Sequence, residues 1–248
     1  METDSLRSAR RWRHRRDIML LVLTSAAGYV DAIGYLSLGR VFTANMTGNT
    51  VLLGVHLGQE QSGAVLRSLV ALVGFGVGLF IGALIVERTT TAGAWPPAVT
   101  MALGLEAAIL IAFAIAWHFT DAIGESSDLR GLIALSAVAM GIQSAAVRRL
   151  NVPGIATTYV TGTLTSMVSG LVAGTRPADE ATRSSSWWRA VRLQMLALVV
   201  YGAGAMLGGI VQARWPILGA AWPVAAVALV VIAASRGWQP APPALAGR

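Results

Sequence analysis

Two carboxyl groups, one amide and two short Thr-Gly segments are the parts of this chain whose residue types and positions could do chemistry. Asp31 and Glu106 stand inside long apolar stretches, where an ionisable group is costly to insert and, when present, faces a cavity or a partner. At a rise of about 1.5 Å per residue, Asp31 falls past the midplane of its stretch and Glu106 close to the midplane. Together they are expected to make substrate contacts or carry protons, as one coupled site. The structural alternative is a carboxyl that hydrogen-bonds a broken helix end. Gln143, also within an apolar stretch, needs a hydrogen-bond partner and could find it in a site or across a helix interface.

The Thr-Gly segments extend this picture. Thr43, Asn45, Thr47, Gly48 and Asn49 open one short apolar segment, and Thr157, Thr158, Thr161, Gly162 and Thr163 open another. The free N–H groups at a helix N-terminus carry partial positive charge. Two such ends meeting inside a membrane can hold an anion or a polar group, with Thr and Asn side chains adding contacts. N-capping of two ordinary short helices would select the same residue types.

Several chemistries are excluded by what is missing. The chain has no Cys, so disulfides, thiolate metal sites and Cys nucleophiles are out, and its three His are scattered as His14, His56 and His118. No metal and no cofactor is expected. The Gly-x-Gly pattern at Gly76 lies in an apolar helix with no strand before it, which removes a dinucleotide fingerprint. An intramembrane enzyme would have to work with Ser, Thr or the two carboxyls alone, and the expectation is that the protein is not an enzyme.

The elements that must position these residues are membrane helices. Of 248 residues 55% are apolar and 12% charged, about half the charge of a soluble domain. Apolar segments cover 18–38, 44–58, 68–86, 98–117, 131–147, 160–174, 193–211 and 216–235. Six of them reach the roughly 17 to 25 residues needed to cross about 30 Å of hydrocarbon. The second and sixth are shorter and follow breaks at Gly39-Arg40 and Val152-Pro153-Gly154, the pattern of re-entrant or broken helices. Trp95, Trp117, Trp187, Trp188 and Trp215 lie at segment ends, as an interfacial belt requires.

The chain also repeats itself. At an offset of 114, the run from Val41 to Asn49 falls on Ile155 to Thr163, and Asp31 falls on Ala145. At an offset of 126, Phe75-Gly76-Val77-Gly78 with Gly82 falls on Tyr201-Gly202-Ala203-Gly204 with Gly208. The Gly residues spaced by four line one helix face and are read as packing surfaces.

Charge decides how the halves are oriented. All 19 basic residues are Arg, six of them between Arg7 and Arg16. If all eight segments crossed, Arg148 and Arg149 would face outward and the acidic loop with Asp121, Glu125 and Asp128 inward, against the positive-inside rule. Six crossings reverse this and leave only Arg40, Arg67, Arg130 and Arg214 outside. Three crossings per half make the halves inverted copies. The expected fold is therefore all-α and polytopic, with two inverted repeats of three transmembrane helices plus one short re-entrant or broken helix. Residues 1–17 form a basic cytoplasmic segment, 18–117 and 131–235 the repeats, and 236–248 a Pro-rich disordered tail. The first apolar segment is expected to be retained, not cleaved as a signal peptide. The Arg run serves orientation and contact with anionic headgroups, so the lipid bilayer is a partner and nucleic acid is not.

The stretch from Gly28 through Asp31 to Leu36, the motif Val41-Phe42-Thr43-Ala44-Asn45-Met46-Thr47-Gly48-Asn49-Thr50, the run Gly141 to Arg149 and the motif Thr157 to Thr163 resemble the YoaK-like family of bacterial inner-membrane proteins. The resemblance runs from about residue 17 to 235. It implies a polytopic helical protein of the bacterial inner membrane and importance for Asp31, Asn45, Thr47, Gly48, Asn49 and Gln143, but it supplies no substrate; the six-crossing charge layout puts both termini in the cytoplasm. The function expected from the residues is a permease or channel for a small molecule or ion, with its site between the two Thr-Gly half-helices. A non-transporting membrane scaffold or receptor is the alternative, and homo-oligomerisation is left open.

Overall fold

The computed structural model describes residues 2–88, 95–119, 127–152, 162, 164–165, 168–169, 172 and 185–237. All regular structure among them is helical. The helices are α1 (Glu2–Ser37), α2 (Met46–Gly58), α3 (Ser62–Glu87), α4 (Pro97–Phe119), α5 (Ser127–Arg149), α6 (Ser185–Arg214) and α7 (Ala221–Gly237), with a 3₁₀ turn at Pro216–Leu218 between the last two. Among the described residues six stretches are long and apolar enough to cross a membrane: Arg11–Ser37, Ser62–Glu87, Pro97–Phe119, Ser127–Arg149, Trp188–Arg214 and Pro216–Arg236. This is a multi-pass membrane protein. The helix α2 is too short to cross, as its sequence led one to expect.

Local chemistry sets the boundaries. α4 starts at Pro97, whose missing N–H costs nothing in the first turn, and the Trp95 indole N–H donates to Thr100 Oγ1 at 2.9 Å across that start. α1 stops at Gly39 and Arg40, both at positive φ (77° and 63°), the left-handed conformation that closes a helix and that Gly adopts without steric cost.

Contacts at the helix ends establish which way each helix runs. At one end of the bundle, Arg67 near the start of α3 donates to Gly39 O just after α1, at 3.2 Å. Trp117 at the end of α4 donates to Pro216 O between α6 and α7, at 3.1 Å. Leu38, Val41, Phe113, Leu129, Leu132, Ile133 and Ala220 cluster there. At the other end, Arg149 of α5 donates to Val86 O of α3 at 3.3 Å, and Arg189 of α6 pairs with Asp17 of α1 at 3.3 Å. Hence α1, α4 and α6 run one way and α3, α5 and α7 the other. The first end carries Arg40, Arg67, Arg130 and Arg214. The second carries Arg11, Arg13, Arg15, Arg16, Arg88, Arg148, Arg149, Arg189, Arg192 and Arg236, the division that the charge pattern anticipates.

Two tight parallel helix pairs form the frame, α3 with α5 and α1 with α6. In the first, a Cβ at Gly78 would strike the Val138 carbonyl and one at Gly82 would lie 3.1 Å from Ile142 Cα. In the second, a Cβ at Gly204 would strike the Ser25 carbonyl and one at Gly208 would lie 3.0 Å from Tyr29 O and 3.1 Å from Ala32 Cβ. The paired contacts are related by 126 residues on the α3 and α6 side, matching the sequence repeat. On the α1 and α5 side they are related by 113 residues, one fewer than the motif offset. Asp31 therefore corresponds to Ser144 in this packing, not to Ala145. Without side chains at these glycines the backbones approach closely, which supplies much of the attraction between helices in lipid.

Candidate functional site

After Gly39 the chain turns back along the last two turns of α1. It passes Gly34, where a Cβ would lie 2.6 Å from Val41 O, and reaches the level of Asp31. That is about 9 Å inside the end of α1 at 1.5 Å per residue. From there α2 climbs back to the start of α3, so the segment enters and leaves on one side. Non-helical backbone at such depth must have its polar groups satisfied by protein or by water in a cavity.

Asp31 supplies that satisfaction. Its Oδ1 accepts from the backbone N–H groups of Thr43 (2.9 Å), Ala44 (2.7 Å) and Asn45 (3.2 Å). Its Oδ2 accepts from the Tyr201 hydroxyl on α6. The carboxyl is 3% exposed. Asn45 caps α2, its Oδ1 accepting from Gly48 N at 3.1 Å. Asn49, fully buried, grips the backbone of Phe42 from both sides: Oδ1 accepts from Phe42 N at 2.9 Å and Nδ2 donates to Phe42 O. The buried Ser136 hydroxyl of α5 donates to Thr43 Oγ1 at 3.0 Å. The entry to α2 is thereby tied to α1, α5 and α6 together.

This arrangement answers what the α2 N-terminus does. Its amides would attract an anion, and Asp31 is that anion, built into the chain; the capping Asn45 and the clamp of Asn49 take the amides of Gly48 and Phe42. Gly48 makes room for the Phe42 ring, which stacks on Tyr35 with centroids 5.7 Å apart. A Cβ at Gly48 would lie 2.8 Å from Phe42 Cδ2 and 3.1 Å from Asn45 Nδ2. Thr47 is exposed on α2.

The remaining candidates lie elsewhere. Gln143 is buried on α5 and donates to Leu23 O of α1 at 3.3 Å. Glu106 is fully buried in the middle of α4, and among the described residues neither of its oxygens has a hydrogen-bond partner. Among the described residues no hydrogen bond or ion pair joins it directly to Asp31. Gly162 is helical and half-buried. Thr157, Thr158, Thr161 and Thr163 fall outside the described residues. No group of three or more His, Asp or Glu able to hold a metal occurs among the described residues.

Tyr201 and Ser136 are hydrogen-bond partners of the candidate residues that sequence reasoning passed over. A signal for Tyr201 existed: it occupies the position of Phe75 in the repeat but carries a phenol, which seeks a hydrogen bond when buried.

Residues 19–234 match the model of the family described as Protein of unknown function (DUF1275). The UPF0700 transmembrane protein YoaK of Bacillus subtilis (strain 168) is 41% identical over 192 residues, which cover 77% of this chain and 82% of that protein. No solved structure gives a significant match.

Proposed function

The chain belongs to the DUF1275 family of proteins of unknown function, and from that premise we propose that it is a membrane permease or channel for a small molecule or ion, without enzymatic activity. The observation that carries this reading is Glu106. A carboxyl at mid-span with no hydrogen-bond partner among the described residues adds nothing to stability, and intramembrane ionisable groups mark ion or substrate pathways.

The helix directions support the architecture that goes with it. One half runs up, down, up through α1, α3 and α4, and the other down, up, down through α5, α6 and α7, as two inverted repeats would. The short helix α2 adds a broken element of the kind that lines transport sites. We place the Arg-rich end in the cytoplasm, with both termini, and the protein in the bacterial plasma membrane. The substrate path runs past Glu106, and Thr43, Asn45, Asn49 and Asp31 shape the re-entrant wall instead of offering free amides.

The test is thermal stabilisation of the purified protein across a panel of metabolites and ions, since a bound ligand stabilises the folded state with the logarithm of its occupancy. Uptake of the stabilising solute into proteoliposomes follows. We expect at least one solute to raise Tm and to be taken up by the wild type but not by Glu106→Ala. Stabilisation without uptake would favour a receptor, and neither stabilisation nor uptake a scaffold.

A further inference from the structure

We infer that the ion held at Glu106 is a proton and no other cation. This rests on the permease reading only in treating Glu106 as an ion-carrying group. The buried face of α4 runs Ala98, Val99, Ala102, Leu103, Glu106, Leu110 and Phe113, so the carboxyl interrupts an apolar stripe at its centre. Among the described residues, the helices packed on α4 are α5, α7 and, less closely, α3. Val99 shares a cluster with Val147, Leu150 and Ala234, and Phe113 with Leu129, Leu132, Ile133 and Ala220. Both α5 and α7 run opposite to α4, so aligning these clusters brings Val227 of α7 near the level of Glu106, with Ala139 and Met140 of α5, which lie between Ser136 and Gln143, themselves bonded to Thr43 and to Leu23 O. Ala139, Met140 and Val227 are fully buried and bring no oxygen in their side chains.

The ionisable groups on these elements are remote from that level. Arg67 and Glu87 on α3, Asp128, Arg130, Arg148 and Arg149 on α5, Arg236 on α7 and His118 on α4 itself all lie within about two turns of a helix end. Asp31 is held by α2 and Tyr201. Among the described residues Glu106 thus has no counter-charge at its own depth.

Ligand number then separates the cations. A hard metal ion surrounds itself with about six or more oxygens. Glu106 offers two, and the carbonyls of α4, α5 and α7 at this level belong to uninterrupted helices. A proton needs one oxygen, and binding it turns a buried charge into a neutral acid whose burial costs far less. Among the described residues, neither oxygen of the carboxyl has a partner that would complete a metal's shell.

Dicyclohexylcarbodiimide, an apolar reagent, tests the assignment on the full-length protein in detergent. It reacts with the protonated acid: the proton passes to a carbodiimide nitrogen, the carboxylate oxygen bonds to the central carbon, and acyl migration to the second nitrogen leaves a stable N-acylurea. Peptide mass spectrometry should find this adduct on Glu106 and none at that position in Glu106→Gln. Labelling should fall as pH rises, by roughly tenfold per unit beyond the midpoint, and should be equal in NaCl and choline chloride at matched ionic strength. Protection by NaCl, labelling that does not fall with pH, or no adduct on Glu106 at any pH would overturn the inference. A second measurement guards the first. Glu106→Gln, which has the shape of the neutral acid, should keep a Tm close to that of the wild type, whereas a large loss would mean an ionised, paired carboxylate and would also overturn it. Labelling requires no transport. Its failure would leave the permease reading standing, and a solute panel without a hit would leave the proton assignment standing.

Discussion

Asp31 and Glu106 are both carboxyls buried inside the bundle, and they live in opposite circumstances. Asp31 accepts three backbone N–H bonds and one phenol hydrogen bond; Glu106 has no partner among the described residues. Asp31 repays its burial by satisfying backbone N–H groups that a broken helix leaves open, each of which would be costly to leave without an acceptor. Glu106 repays nothing locally. An acid of the first kind is part of the scaffold, and one of the second kind is free for work that the fold does not need.

Removing Asp31 breaks the comparison most severely. Asp31→Ala leaves the N–H groups of Thr43, Ala44 and Asn45 without their acceptor, at about 1 to 3 kcal/mol for each buried orphan. A loss on the order of 4 kcal/mol is expected, visible as collapse of the monodisperse peak and of Tm; a variant with wild-type Tm would return Asp31 to the list of dispensable, functional carboxyls. Next comes Asn49→Ala, which frees both backbone groups of Phe42 and should lower stability by about 2 to 3 kcal/mol. If denaturant titration finds under half of that, the clamp does not hold α2.

The opposite sign is expected at Glu106. Replacing an unpaired buried polar group by an apolar one of similar size removes a desolvation penalty, so Glu106→Met should raise stability by about 1 to 2 kcal/mol while abolishing uptake. A fall in Tm would mean that Glu106 has a structural partner after all, erasing the contrast with Asp31. Smallest is Tyr201→Phe, which deletes one of four hydrogen bonds to Asp31 at a cost of about 1 kcal/mol. The double variant Asp31→Ala with Tyr201→Phe should then be no worse than Asp31→Ala alone, and additive losses would show that the phenol acts elsewhere.

Much of this was legible in advance, for local reasons. A continuous apolar run of 20 residues has one low-energy fate in lipid, because every backbone polar group must be satisfied within the segment. The six long helices therefore appear within a few residues of the expected 18–38, 68–86, 98–117, 131–147, 193–211 and 216–235. The brevity of 44–58 foretold a helix that does not cross. Asp31 and Asn49 stood out as polar residues in apolar surroundings, but whether each bound a ligand or the chain itself depended on what lay opposite.

Hydropathy, charge layout and glycine spacing are properties of neighbouring residues, and from them the sequence by itself determined the helices, their order and the end at which each Arg cluster gathers. Only the tertiary structure decided the partners. Tyr201 reaches Asp31 from 170 positions away along the chain, and Ser136 reaches Thr43 from 93. Glu106 has no hydrogen-bond partner among the described residues, on a face of α4 that is otherwise apolar. Hydrogen bonding is short-ranged in space and indifferent to separation in sequence. The packing of α1 on α6 and of α4 on α5 and α7 therefore made one carboxyl a structural pin and left the other unpaired.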